Sequence, residues 1–551
     1  MNNREISDFY RGTFLITFSI LVTKILGVFF IIPFSHIIGG ENNMSPFTYA
    51  YAPYNIMIAL TTAGVPLAAS KFIAKYNALE AYKTCYKFYK SSFIIMSITG
   101  FIGFIVLFLL SPFVAELTLS RENHNSNSWS IDDITWIIRI ISLVIIFIPL
   151  LASWRGIFQG FSLMGPTALS EITEQLGRII FILLGSYLSL SMFDKSILFA
   201  NGIATFGAAI GAIIALITLF FYWRKYQVFF KSLVQKDNST IDLSLITIYK
   251  EIISYSIPFV IVSLIFPLFN LIDQFTHNYT LTKNNVPSEL QDMFFNMLNM
   301  TTNKIVMIPT SIGVGFSISI LPFITKSFEN KEYMVTKKYV SKSLTLLLIT
   351  TVPASLGIMA LAQPIYTIFY GYSNDVLGYS PNIEGSKLLF FYAPVAILIS
   401  LLGLLSSILQ GINKQKEIIK IVIISIFIKL IFNVPLIYIF ETRGAILSTA
   451  IACAFAIVYI FILLKKSIGY RFIQDFVSFG KIGIASLLMM INVEFIVFLF
   501  KIYVTVTRGL SIIIVLSSIV VGITTYFVAL NILKSKEVSF LVSRLKLYNK
   551  M

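Results

Sequence analysis

Long apolar runs separated by short polar segments dominate the chain between residues 12 and 533. Runs of about 20 apolar residues match the roughly 30 Å hydrocarbon core of a bilayer. The pattern predicts fourteen membrane-spanning helices joined by loops. The predicted spans lie near 12–36, 49–72, 91–115, 134–153, 166–190, 196–223, 252–277, 294–325, 343–370, 388–411, 418–439, 443–464, 481–500 and 509–533.

Composition assigns the chain to one class. Of its 551 residues, 57% are hydrophobic and 12% charged, against about 25% charged residues in soluble domains. We therefore predict an all-α polytopic membrane protein. The net charge of +16 reflects excess Lys and Arg in alternate loops such as 71–90, which places both termini in the cytoplasm and gives no reason to expect nucleic-acid binding.

The second half of the sequence resembles the first. KFIAKY at 71–76 aligns with PFITKS at 322–327, and the same offset sets Arg178 opposite Lys429. An even number of spans per repeat keeps both copies in one orientation, and parallel repeats are typical of transporters with a substrate site between lobes. The alternative is chance similarity between hydrophobic helices.

The repeat predicts three regions. Residues 1–240 form an N-lobe with helices 1–6, residues 241–470 form a C-lobe with helices 7–12, and residues 471–551 hold helices 13 and 14 with a cytoplasmic tail.

Five basic residues lie inside predicted spans: Lys24, Arg139, Arg178, Lys304 and Lys429. Each costs about 2.5–3.5 kcal/mol at a helix centre, so each requires a partner or an aqueous cavity.

The sequence predicts the partner of Arg178 and only the need for one at Lys429. Glu174 and Arg178 are four residues apart on one helix, with Glu171 one turn earlier, which predicts an intrahelical ion pair. Its role is either structural or part of a substrate-binding set. Lys429 has no acidic residue nearby in sequence, so its partner is expected on another helix.

Lys24 and Lys304 have no acidic residue within four positions. Because each predicted lobe contributes one of these lysines, we expect a cationic, water-filled cavity between the lobes. A lysine side chain is well suited to bind a phosphate group. The alternative is neutralisation by Asp273 or Glu174 from neighbouring helices. Asp273, the acidic residue of the seventh predicted helix, is also a candidate for ion coupling. Large lobes and abundant aromatic residues favour a transported substrate that is an amphiphile with an anionic head and a lipid tail.

The segments 11–27 (RGTFLITFSILVTKILG), 46–78, 154–178 and 308–328 (IPTSIGVGFSISILPFITKSF) resemble the MurJ lipid II flippases of Gram-positive bacteria. These belong to the multidrug/oligosaccharidyl-lipid/polysaccharide exporter superfamily. The resemblance implies a MurJ/MATE-like fold, an alternating-access mechanism and undecaprenyl-pyrophosphate-linked peptidoglycan precursor (lipid II) as substrate. It further implies a multi-pass protein of the bacterial cytoplasmic membrane that works as a monomer without a cofactor.

The resemblance also identifies site positions. Lys24 and Lys304 stand where the family carries arginines, whereas Phe30 and Ile31 replace an Arg-Asp pair and Asn303 replaces an acidic residue. The anion-binding set is thus thinner than in the Gram-negative branch, and Arg178 with Glu174 supplies part of it. No phosphate-binding loop motif occurs, so the membrane potential or a monovalent ion is the expected energy source.

Other functions are compatible with parts of this pattern. A flippase for another lipid-linked oligosaccharide fits the same residues. A multidrug exporter for cations is disfavoured, because such a cavity needs carboxylates. A membrane glycosyltransferase or acyltransferase is disfavoured because the first external loop has only Glu41 to hold a metal or act as a base.

Overall fold

The computed structural model describes residues 3–533 except 41, 63, 120–128, 162, 238, 240, 242, 372–374 and 504–507. Glu41 lies outside the described residues. All regular elements of the described chain are helices, as the hydrophobic pattern predicts.

The helices are, in chain order, α1 (Asn3–Phe29), α2 (Ile31–Ile38), α3 (Ser45–Thr62), α4 (Val65–Ala78), α5 (Tyr82–Thr118), α6 (Ile131–Ser142), α7 (Ile148–Gly160), α8 (Met164–Ser191), α9 (Ile197–Gln235), α10 (Leu245–Ser263), α11 (Ile265–Lys283), α12 (Ser288–Asn296), α13 (Thr302–Glu329), α14 (Tyr333–Ala360), α15 (Ala362–Tyr370), α16 (Pro381–Tyr392), α17 (Val395–Gly411), α18 (Gln415–Phe440), α19 (Thr442–Ile468), α20 (Phe476–Tyr503) and α21 (Arg508–Ile532).

Ten segments of the described chain are long and apolar enough to cross a membrane, and the bent pair α16–α17 would make an eleventh. Several predicted spans are broken. The predicted span 49–72 consists of α3 and α4, with Pro66 in the first turn of α4. Helix α8 is 28 residues long but carries Glu171, Glu174 and Arg178 near its middle, which lowers its apolarity. The count of fourteen spans therefore stays a prediction.

The contacts divide the chain into two compact units. The first comprises residues 1–300 and 422–445, and the second comprises residues 301–421 and 446–551. In the first unit, α3, α5, α6 and α9 enclose a core that includes Tyr54, Ile137 and Ile145. In the second unit, α14, α20 and α21 pack around Ile482 and Leu530. The lobe boundaries at 240 and 470 stay a prediction.

A small-residue stripe brings α9 against α8 in the first unit. A Cβ added at Gly211 would lie 2.6 Å from the carbonyl oxygen of Glu174 and 3.0 Å from Cβ of Arg178. Glycine permits this close approach of two helix backbones. It thereby fixes the part of α8 that carries the charged residues.

Candidate functional site: a cationic cluster on α1, α7 and α8

Two arginines share one carboxylate in the first unit. Nη2 of Arg178 lies 2.8 Å from Oε1 of Glu174, within α8, as the four-residue spacing predicts. Nη2 of Arg155, on α7, lies 2.9 Å from the other carboxylate oxygen. Arg155 is also held by its Nε, which donates to the Ser170 hydroxyl over 2.9 Å. Each carboxylate oxygen of Glu174 is therefore occupied by an arginine.

A second carboxylate lies one turn earlier on α8. Glu171 accepts a hydrogen bond of 2.6 Å from the hydroxyl of Ser19 on α1, and Arg155 attracts it electrostatically. This contact ties α1 to α8 at the cluster.

Lys24 extends the cluster along α1. It shares a helix face with Gly27, where an added Cβ would lie 3.4 Å from Nε2 of Gln175 on α8. Lys24 is exposed and close enough to Arg178 for the two cations to repel each other. Among the described residues, none forms an ion pair or hydrogen bond with the Lys24 ammonium group. The alternative in which Glu174 neutralises Lys24 is therefore wrong, because Glu174 is bonded to the two arginines.

The charges of the cluster do not cancel. Lys24, Arg155 and Arg178 carry three positive charges, against two negative charges on Glu171 and Glu174, so the formal sum is +1. The cluster therefore attracts anions, with Lys24 as its accessible cation.

Two buried donors beside the arginines lack a partner in the described part of the chain. They are Nε of Arg178 and the hydroxyl of Tyr54 on α3, and Tyr54 lies within electrostatic range of Arg178. A buried donor without a hydrogen bond destabilises the fold by about 1–3 kcal/mol. A strained arrangement, a catalytic role, or a bound water or ion is the usual explanation for such a group.

Asp273 belongs to a different network in the first unit. Its carboxylate lies 2.7 Å from Nζ of Lys429. It also accepts a hydrogen bond of 3.0 Å from the side-chain amide of Asn433. Nζ of Lys429 also donates to the carbonyl oxygen of Ala445 over 2.9 Å. The partner expected for Lys429 on another helix is thus confirmed. In the described part of the first unit Asp273 is therefore engaged by Lys429 and not by Lys24, whereas its pairing with Lys304 stays an untested alternative.

Lys304 lies in the second unit. It is half-buried near the start of α13, directly after a π-helical turn at Met297–Thr301. Its neighbour Asn303 donates to the Tyr392 hydroxyl over 3.0 Å. The meeting of Lys24 and Lys304 in one cavity stays a prediction.

Arg155 is the cluster residue that sequence reasoning missed. The hydrophobic pattern ends the fourth predicted span at 153, which left Arg155 outside the membrane. The structure continues α7 to Gly160. The sequence signal for this continuation is that WRGIFQG at 154–160 contains no proline.

Comparison with known proteins agrees with this architecture. Residues 9–328 match the polysaccharide biosynthesis protein family. The chain is 37% identical over 466 residues to the lipid II flippase MurJ of Bacillus subtilis (strain 168), covering 85% of this chain and 84% of that protein.

Solved structures show the same fold. A lipid II flippase MurJ in an inward closed conformation aligns with a TM-score of 0.64 at 17% identity, over 94% of this chain and 98% of that one. An inward-facing multidrug resistance MATE family transporter of the MOP superfamily aligns with a TM-score of 0.59 at 14% identity. This alignment covers 82% of this chain and 94% of that one. The predicted MurJ/MATE-like fold is confirmed. The chain belongs to the polysaccharide biosynthesis protein family and, within it, to the MurJ group of membrane transporters.

Proposed function

We propose that this chain is a lipid II flippase, which moves the undecaprenyl-pyrophosphate-linked peptidoglycan precursor from the inner to the outer leaflet. The observation that carries the proposal is the 37% identity over 84% of the Bacillus subtilis lipid II flippase. The function is transport, and the chain itself performs no covalent chemistry on its substrate.

The cationic cluster supplies the interaction that this substrate needs. A diphosphate cannot enter hydrocarbon without compensation for its lost hydration. Lys24 is an exposed ammonium group next to Arg178, and lysine binds phosphate as a flexible point charge. Lys24 contacts the diphosphate. Arg155 and Arg178, fixed on Glu174, supply the positive potential behind it.

Lys304 is the proposed second contact. It comes from the other unit and follows a π-helical turn, a local structure frequent at functional sites. In this mechanism the two predicted lobes alternate between openings to the two leaflets, and both termini lie in the cytoplasm. The protein acts as a monomer within its membrane lipids.

Two sources of energy fit the chain. Each net charge that crosses the membrane is worth about 2.3 kcal/mol per 100 mV of membrane potential. Asp273 is the candidate for coupling to a monovalent ion. Because its carboxylate lies 2.7 Å from the Lys429 ammonium, a coupling ion would have to displace that ammonium.

The second candidate is a flippase for another undecaprenyl-diphosphate-linked oligosaccharide. The match to the polysaccharide biosynthesis protein family keeps it open, because a cationic cluster recognises the diphosphate and not the sugar. A multidrug exporter for cations is less compatible with the excess positive charge around Lys24.

The test is transport in proteoliposomes that contain the purified chain. Fluorescent lipid II is offered in parallel with an undecaprenyl-diphosphate oligosaccharide that lacks the peptide. We expect redistribution of lipid II between leaflets and restored growth of a flippase-depleted cell. Transport of the oligosaccharide alone would identify the second function, and transport of neither would overturn the flippase assignment.

Variants then assign the residues. We expect Lys24→Ala and Lys304→Ala each to abolish growth at normal expression, and Lys24→Arg to support it. Lys420→Ala, an exposed residue of α18, is the matched control. Growth of the Lys24→Ala/Lys304→Ala double variant at the normal rate would remove the anion site from the mechanism.

A further inference from the structure

An aromatic cleft lies at one end of the first unit, apart from the cationic cluster. The start of α5, the end of α7 and the end of α9 border a shallow, partly open cleft. Its aromatic walls are Tyr82, Tyr86, Tyr89, Phe161, Trp223 and Phe230.

The aromatic walls of this cleft contact one another. The ring centroids of Tyr89 and Trp223 lie 4.8 Å apart in a stacked arrangement. Trp223 stacks on Phe230 at 5.4 Å, and Phe230 contacts Phe161 at 4.6 Å. Continuous aromatic contacts therefore join the ends of the three helices at this cleft.

The loop after α9 fixes the first turn of α5. The backbone N–H of Lys83 donates to the Asp237 carboxylate over 2.5 Å, and the Thr84 hydroxyl donates to the carbonyl oxygen of Ile241 over 2.7 Å. Asp237 thus satisfies a free N–H group at the start of α5, where the preceding residue, Ala81, provides no cap. This carboxylate is engaged in capping the helix.

Five of the six aromatic residues are each followed directly by a basic residue. The pairs are Tyr82–Lys83, Tyr86–Lys87, Tyr89–Lys90, Trp223–Arg224 and Phe230–Lys231. Successive helix residues are separated by about 100° around the axis, so each aromatic stripe has a basic stripe beside it. Lys90, Arg224 and Lys231 are exposed, and the ten residues that line the cleft include no acidic residue.

The cleft lies at the depth of lipid headgroups. Helix α5 has 37 residues, which corresponds to about 55 Å at 1.5 Å per residue. The hydrocarbon core is roughly 30 Å thick, so the two ends of α5 extend beyond it. Aromatic rings with adjacent cations suit this interface.

We propose that this cleft binds an anionic phospholipid of the cytoplasmic leaflet. The aromatic rings contact the glycerol and the first part of an acyl chain at the surface of the cleft, and the exposed Lys90, Arg224 and Lys231 of the neighbouring basic stripes contact the phosphate. Basic pockets between membrane helices bind anionic headgroups in this way. The leaflet follows from the lysine-rich loop 71–90, which the distribution of positive charge places in the cytoplasm. This site is independent of the proposed cargo.

The experiment uses the full chain in nanodiscs with a phosphatidylglycerol that carries a photoreactive group on its acyl chain. Cross-linked peptides are identified by mass spectrometry. We expect adducts within 82–89 and 223–234, and at least about tenfold fewer with the matching phosphatidylcholine probe.

Charge variants provide the control. In Lys90→Gln/Arg224→Gln/Lys231→Gln we expect at least about a tenfold loss of phosphatidylglycerol adducts. The control variant is Lys338→Gln/Lys416→Gln/Lys465→Gln, which neutralises three exposed lysines of the second unit. We expect it to be labelled by the phosphatidylglycerol probe as strongly as the unmodified chain. Normal thermal unfolding of both variants shows that they are folded.

Three outcomes would overturn the proposal. They are equal labelling by the two probes, labelling of the cleft that the triple variant leaves unchanged, and preferential labelling by a photoreactive undecaprenyl diphosphate. The last outcome would assign the cleft to the transported lipid, whereas failure of lipid II transport alone would leave the phospholipid site intact.

Discussion

The buried ion pair between Lys429 and Asp273 gives a stability prediction with a defined magnitude. The side chain of Lys429 is fully buried and that of Asp273 is 7% exposed, with 2.7 Å between Nζ and Oδ1. Lys429→Met keeps the aliphatic stem and removes the charge. It leaves a buried carboxylate with the Asn433 amide, 3.0 Å away, as a neutral donor.

Two magnitudes can be distinguished by experiment. Loss of an ordinary polar contact between membrane helices costs about 0.6 kcal/mol. Removal of one partner of a buried ion pair costs about 3–5 kcal/mol, because the other charge stays without compensation. Since both side chains are buried, we expect the larger value for Lys429→Met.

The assay is the free energy of unfolding in mixed micelles, measured by SDS titration near neutral pH. Asp273→Leu/Lys429→Met removes both charges and should recover most of the lost stability, as replacement of buried ion pairs by apolar residues often does. Thr350→Ala on α14, which removes only a hydroxyl bonded within its own helix, is a matched control. A loss below about 1 kcal/mol for Lys429→Met, or a double variant no more stable than the single one, would refute the reasoning.

Three further predictions concern the first unit. Gly211→Val places a side chain where a Cβ already lies 2.6 Å from the Glu174 carbonyl oxygen, so it should destabilise the protein by about 1–3 kcal/mol; an unchanged SDS midpoint would contradict this. Arg155→Ala removes the 2.9 Å contact with Glu174 and should lower the unfolding free energy by about 1–2 kcal/mol. Arg155→Lys should have an unfolding free energy between those of Arg155→Ala and the unmodified chain. Equal values for the two variants would exclude the shared carboxylate as the cause. The hydrogen bond from the Lys83 N–H lowers the pKa of the Asp237 carboxyl, so its contribution to stability is present above the ordinary pKa and is lost as the pH falls through the lowered pKa. Asp237→Ala should therefore speed amide hydrogen exchange in the first turn of α5 up to about tenfold at pH 7 and should have no effect in acid; an equal effect at both pH values would contradict the capping role.

The sequence predicts those features that depend on local geometry. The pair Glu174–Arg178 follows from a spacing of four residues on one helix. Apolar runs predict the helices themselves, because a bilayer requires about 20 such residues per span. The break between α3 and α4 agrees with the position of Pro66.

Features that depend on contacts between helices were beyond the sequence. Arg155 and Glu174 are on different helices, and periodicity carries no information about which helices are neighbours. Likewise, the need of Lys429 for a partner was predictable from its burial in a span, but Asp273 as that partner was not. The number of spans also stays a prediction, because α8 combines charged residues at 171–178 with an apolar run after them.

The charge at residue 24 is the most direct test of the account, and lipid II binding to the purified protein is the measurement. Affinity should fall at least about tenfold in Lys24→Ala, stay within about threefold of the unmodified chain in Lys24→Arg, and be unchanged in Lys90→Ala. Equal affinity of Lys24→Ala and the unmodified chain would contradict the assignment of this exposed ammonium group to the diphosphate.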